Sequence, residues 1–280
     1  MSVVRVVAVA DNFGRDVGAG FALVERILDH TRAVGARLVV FPEATLGGYL
    51  AHLDPSGPPD LPPAFDPAGP EIAELGRLAG ELVVCAGYCE GDGAARYNAA
   101  VCVSGDGVLG HHRKVHHPLS EGVSYDSGDR FRPFDTPVGR LGMMICYDKA
   151  FPEAARALAL DGAEIVACLS AWPASRTDPA PVLAEDRWTR RFDLFDQARA
   201  LENQVVWVSA NQSGTFGTLQ FVGRAKVVGP GGEILAATGT TAGLAMADVD
   251  VAGSMAEARR VMCHLRDRRP DAYEVAAVAQ

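Results

Sequence analysis

Apolar and polar positions along the chain switch repeatedly between runs that fit buried strands and spacings that fit helices. Val3 to Ala10 is apolar except for Arg5 and predicts a first strand. From Val17 the apolar residues fall at Val17, Phe21, Val24, Leu28 and Val34, close to helical spacing, and Gly35 ends that helix. Arg37 to Phe41 (R-L-V-V-F) is a second buried strand, broken by Pro42-Glu43. Glu43 is therefore expected at a strand end, where α/β folds place working groups. The pattern continues with a helix over 71–80, a strand over 81–88, a helix over 153–160, a strand over 164–170 and a long helix over 186–203. Strands over 204–210 and 243–249 follow. Three turn signals predict hairpins: S-G-D-G between 96–103 and 108–114, T-P-V-G between 131–135 and 140–146, and G-P-G-G between 222–229 and 233–237. Strands alternating with helices indicate an α/β fold, and the hairpins make its sheets mixed. Residues 1–250 read as one domain. The tail, 251–280, is charged and helical in composition and is expected at a subunit interface. The loops 47–70 and 171–185 are expected to carry substrate preference; 54–70, rich in proline and glycine, reads as an ordered loop or lid.

Composition narrows the class. With 48% hydrophobic and 22% charged residues in 280, the chain can bury a large core. A net charge of −9 argues against a nucleic-acid binder. The six cysteines are scattered, mostly inside apolar runs, and do not form a disulfide framework; a reducing, cytoplasmic setting is expected. The N-terminal apolar stretch is short, interrupted by Arg5 and followed by Asp11-Asn12, so it reads as a strand and not a signal peptide. No stretch reaches the length of a membrane span. Without a leader, the sequon Asn211-Gln212-Ser213 is not expected to meet glycosylation machinery. Neither G-x-G-x-x-G nor a P-loop points to a nucleotide.

The chemistry concentrates in R-L-G-M-M-I-C-Y-D-K-A-F-P-E, residues 140–153. An apolar run leads into Cys146, and Pro152-Glu153 opens a helix. A thiol at such a junction lies near amide N–H groups and a positive helix end, which favour the thiolate. Alone, Cys146 reads first as a buried structural cysteine. Glu43 and Lys114, each at a predicted strand end, change that: a thiol, a carboxylate and an ammonium are the parts of acyl transfer through a covalent intermediate. His111, His112, His116 and His117 surround Lys114, but a strand sends alternate residues to opposite faces, so no metal site is expected.

On V-V-F-P-E-A-T-L-G-G-Y around Glu43, H-H-R-K-V-H-H-P around Lys114 and G-M-M-I-C-Y-D-K-A-F-P-E around Cys146, the sequence resembles the nitrilase superfamily of carbon–nitrogen hydrolases over residues 3 to about 250. G-A-E-I-V, A-R-A-L-E-N-Q and V-V-G-P-G-G follow in the family's order. The resemblance implies a four-layer α-β-β-α sandwich with two mixed sheets, and a homodimer or higher oligomer formed through helices. It also implies a Glu–Lys–Cys triad of Glu43, Lys114 and Cys146, with Glu121 as a fourth acid ahead of Gly128-Asp129. No metal or organic cofactor is expected. The substrate is expected to be a small amide or N-carbamoyl compound. A nitrile is the alternative, since nitrilases carry Trp-Glu where this chain has Tyr147-Asp148. Transfer of the acyl group to an amine, or a non-catalytic scaffold role, are the other readings. The backbone N–H of Tyr147 is expected to join Lys114 at the oxyanion. Lys149 reads either as a substrate-carboxylate contact at the pocket mouth or as a solvated turn lysine. Tyr49, Trp172 and Asn211 are expected to line the pocket. Ala225 stands where the family often has serine, which leaves substrate contacts in that strand open.

Overall fold

A computed structural model describes residues 3–54 and 60–273. Residues 55–59, within the expected lid, and 274–280, within the tail, lie outside the described residues. The first half of the chain forms β1 (Val4–Asp11), α1 (Val17–Ala33), β2 (Leu38–Val40), α2 (Pro70–Ala79), β3 (Val83–Asp92), β4 (Ala95–Ser104) and β5 (Gly107–Arg113). The second half forms β6 (Phe134–Thr136), β7 (Gly139–Ile145), α3 (Pro152–Leu160), β8 (Ile165–Ser170), α4 (Arg187–Asn203), β9 (Val206–Phe216), β10 (Leu219–Val222), β11 (Lys226–Val228), β12 (Ile234–Ala237), β13 (Gly243–Val249) and α5 (Val251–Ala258).

Period-two alternation builds four layers. In β1, Val6, Ala8 and Ala10 point into a central core with Leu141, Met143 and Ile145 of β7 and Ile165, Ala167 and Leu169 of β8. The intervening Val7 and Val9 point the other way, onto Val24, Ile27 and Leu28 of α1 and Ile72 and Leu75 of α2. On the opposite sheet Met144, Val166, Cys168 and Trp207 face outward onto Ala155, Leu158 and Ala200 of α3 and α4. Both faces of each sheet are therefore covered, which is why these strands read as continuous apolar runs. Each buried aliphatic side chain contributes roughly 1.5–3 kcal/mol, so the double-sheet interior dominates stability.

One sheet is ordered β5-β4-β3-β2-β1 with β13 beside β1; the other runs β6-β7-β8-β9 with β11 and β12 beyond it. These are the two mixed sheets of the expected four-layer sandwich, and they are joined at one point. Ala10 and Asp11 pair in parallel with Asn211 and Gln212, so hydrogen bonding runs through all thirteen strands described. The three expected hairpins are present as β4/β5, β6/β7 and β11/β12. A fourth, β9/β10, was not expected, because the polar run Asn211–Thr215 hides the strand. Its turn needs Gly217: φ is +57°, and a Cβ there would lie 2.1 Å from the Ala51 carbonyl oxygen. The folded unit also runs past residue 250, since Val251 and Met255 of α5 enter the central core. Gln204 then ties the following turn down, donating to the carbonyls of Ala258 and Met262 and accepting from the His264 N–H. Among the described residues no helix is long and apolar enough to cross a membrane.

Candidate active site

β2 delivers Phe41, and Pro42-Glu43 follows at its end. The chain then turns sharply through Ala44, whose φ is +57°. This turn is gripped by β3: the Gly87 N–H donates to the Pro42 carbonyl, and the Leu46 N–H donates to the Gly87 carbonyl. A side chain at 87 would not fit, because a Cβ would lie 2.5 Å from the Ala44 nitrogen and 2.7 Å from the Glu43 Cα. Glu43 is fully buried. Its Oε1 accepts from Lys114 Nζ at 2.8 Å and Asn98 Nδ2 at 2.6 Å, and its Oε2 accepts from the Ala171 N–H at 2.6 Å. Lys114, also fully buried, donates to both Glu121 oxygens at 2.9 and 2.6 Å. Asn98 completes the set, donating to Glu121 Oε1 at 2.7 Å. Glu43, Lys114 and Glu121, singled out in the sequence, thus meet in one cluster with Asn98.

The two carboxylates differ in their surroundings. Burial pushes the Glu43 carboxyl up, Lys114 pulls it down and the Glu121 charge pushes it up again; the net is above the ordinary value. Burial also pushes Glu121 up, but Lys114 and the neighbouring His117 outweigh it and hold it ionised. Lys114 is disfavoured by burial, yet Glu121, Glu43 and Cys146 raise it well above an ordinary lysine. It stays charged.

Cys146 follows β7 directly and opens a short 3-10 turn, Cys146–Ala150, which separates it from the start of α3 at Pro152. Its φ is +49°, a strained value for a non-glycine residue. Ala44 and Leu119 share this strain, so three of the five described non-glycine residues with positive φ surround the site. The thiol is not activated as the sequence reading expected. Burial pushes it well above the usual range, Glu43 adds to that, and Lys114 and Lys149 do not offset them. The proposed thiolate-favouring helix end lies a full turn further along the chain.

The turn is held from below. Asp148 accepts from the N–H groups of Ile145 and His116 at 3.1 and 2.9 Å, and pairs with His112 and His116. Burial opposes its charge, but His112 and His116 hold it well below the usual carboxylate range. His111 pairs with Glu90, and His117 lies 3.7 Å from Glu121. The four histidines around Lys114 are thus each directed at a carboxylate. Lys149 is a correction. It is fully buried, donating to Asp196 at 2.7 Å and lying 3.4 Å above the Phe192 ring. Asp196 also takes Lys226 at 2.7 Å and Trp207 Nε1 at 2.9 Å. An ammonium so enclosed does not reach a pocket mouth.

A cavity of about 340 Å³ opens over Cys146. Tyr49, Tyr147 and Trp172 line it, with Leu53, Leu119 and Trp188. Burial raises the Tyr49 hydroxyl well above its ordinary value, with Glu121, Glu43 and Cys146 adding to the shift, so it stays a proton donor beside them. Asn211 is not in the lining. It accepts from the Trp172 N–H at 2.7 Å and donates to the Gly223 carbonyl at 2.8 Å, which fixes the Trp172 loop from behind. Buried and doubly bonded, it is no glycosylation acceptor. Ala225 lies in the central core, away from the cavity lining.

A family profile described as Carbon-nitrogen hydrolase matches residues 6–260. The chain belongs to that family. It is 31% identical over 281 residues to the N-carbamoylputrescine amidase of Arabidopsis thaliana, covering 93% of this chain and 90% of the relative. It is 32% identical over 244 residues to the nitrilase of Pyrococcus abyssi, covering 82% and 83%. A carbon-nitrogen hydrolase from Helicobacter pylori G27 superposes with a TM-score of 0.82 at 26% identity, over 97% of both chains.

Within this carbon–nitrogen hydrolase, sequence reasoning missed Asn98, Gly87 and the Ala171 N–H. Asn98 had a signal, a lone amide inside the apolar strand Y-N-A-A-V-C-V. Gly87 and Ala171 act through main-chain proximity, which leaves none. Gly87→Ala forces the Glu43 backbone off β3. It should cost about 1–3 kcal/mol of stability in urea denaturation. It should also cost roughly a hundredfold in kcat/KM through displaced geometry. Wild-type values for both would show that the close approach is not needed.

Proposed function

We propose that this carbon–nitrogen hydrolase cleaves small amides through a thioester on Cys146. The observation that carries the reading is one buried cluster of Glu43, Lys114 and Glu121 whose charges act on the Cys146 thiol, with that thiol lining one cavity. Glu43 takes the thiol proton as Cys146 Sγ attacks the carbonyl carbon. The Lys114 ammonium and the Tyr147 N–H stabilise the oxyanion. When the tetrahedral centre collapses, the C–N bond breaks, and the nitrogen leaves with the proton that Glu43 returns. Water then gives a proton to Glu43 and attacks the thioester. The C–S bond breaks, the acid is released, and Cys146 regains its proton. Glu121 is a positioning residue: with both oxygens on Nζ it keeps Lys114 charged and aimed. The apolar tail and helix side chains Leu160, Leu194, Val261 and Met262, all exposed, support self-association with a second copy of the chain.

The pH dependence follows from Glu43. Only its ionised form accepts the thiol proton, so kcat/KM falls as pH drops through its pKa. Because burial raises that pKa, the acid limb should lie above the ordinary glutamate value of about 4.3. Glu43→Gln should lower kcat/KM by roughly 10²–10⁴ and abolish that limb. A variant that keeps the limb would remove Glu43 from the role of base.

The nitrilase relative supports a second reading, with a nitrile as substrate. The amide is favoured because a carboxyl raised in pKa suits protonation of a departing amine, and the amidase relative spans nearly the whole chain. When a small aliphatic amide and its matching nitrile compete, the amide should be consumed first, with the shared acid product followed by mass spectrometry. Preferential loss of the nitrile would overturn the choice and leave the three residues in their roles.

A further inference from the structure

The cavity over Cys146 has walls of one kind. Among its described lining residues Arg176 carries the charge; apart from the Cys146 thiol the others are apolar, aromatic or hydroxyl-bearing. No carboxylate is among them, because Glu43 and Glu121 are fully enclosed behind the surface. Arg176 follows β8 in the loop that carries Trp172, is exposed, and has its Nη1 3.4 Å from the Leu53 carbonyl. Lys149, the cation expected here from the sequence, is committed to Asp196.

A lone guanidinium on an apolar cavity acts as a filter. A substrate carboxylate finds a fork of donors that matches its geometry. A substrate ammonium meets like charge and, among the described lining residues, no acid, which is discrimination by repulsion. The space suits a small molecule: about 340 Å³ holds roughly ten non-hydrogen atoms at about 30 Å³ each.

We propose that the enzyme selects short aliphatic amides that bear a carboxylate at the end remote from the scissile bond, with Arg176 binding that carboxylate while the amide carbonyl lies at Cys146. This rests on the amide-hydrolase reading above. Arg176 also borders a second cleft beside Asp54 and Thr218, so it is open to water and its effect is moderate.

The test measures kcat/KM by ammonia release for succinamate, glutaramate and adipamate. Each is set against a neutral and an ammonium-bearing amide of matching length. Wild type should prefer the anionic member, and that preference should fall about tenfold in Arg176→Ala. Arg176→Lys should retain part of it, and Arg176→Glu should favour the ammonium-bearing amide over the anion. Unfolding curves would establish that the variants fold. Should neutral amides be cleaved and the preference not move in any variant, Arg176 is no carboxylate anchor and the amidase reading stands. Should wild type release ammonia from none of the amides, both fall together.

Discussion

A lysine ammonium enclosed between two carboxylates is stable only as a set. Removing Lys114 would leave Glu43 and Glu121 facing each other without water. Removing either acid would weaken what offsets the desolvation of the ammonium. Breaking a buried pair of this kind costs about 3–5 kcal/mol. The loops converge because the charges must. β5 ends where Lys114 can reach both acids, and Gly128 lies against the Arg113 backbone so that its N–H meets the Lys114 carbonyl at 2.7 Å. β3 lacks a side chain at 87, so Glu43 can enter. Asn98 donates to both acids, holding them together where their charges push apart.

That set also divides labour between two glutamates of similar burial. Glu121 takes the ammonium on both of its oxygens and stays ionised. Glu43 shares one oxygen with Lys114 and Asn98 and receives a main-chain N–H on the other, and burial prevails. A carboxyl held above its ordinary value is a stronger base when ionised, which is what the proposed activation of the Cys146 thiol would use. Behind Cys146 a second buried network, built on Asp148 and Asp196, fixes the 3-10 turn from two sides. Cys146 is thus oriented by groups that are not among the described lining of the cavity.

Much of this was legible in the sequence. The alternation that separates Val6 and Ala8 from Val7 and Val9 is visible in β1, and the turn residues of three hairpins mark the strands that deliver Lys114 and Cys146. Glu43 and Lys114 were singled out at predicted strand ends and Glu121 from the family resemblance, and the three side chains lie together in the structure. What escaped was long-range or main-chain. Lys149 was misread because its partner Asp196 is 47 residues away on α4. The β9/β10 hairpin escaped because Asn211 and Gln212 of β9 use polar side chains to pin Trp172 and Glu43, which breaks the apolar pattern. Thiol activation was misjudged because a helix end counts for less than burial beside a carboxylate.

The central claim is that the acyl group passes through Cys146. Mixing the enzyme with a slowly cleaved amide, quenching in acid and mapping the peptides by mass spectrometry tests it directly. The account predicts a mass increase equal to the acyl group on the peptide containing Cys146, formed within the first turnover and lost as acid product appears. Turnover without any adduct on Cys146, or an adduct carried by another cysteine, would contradict it.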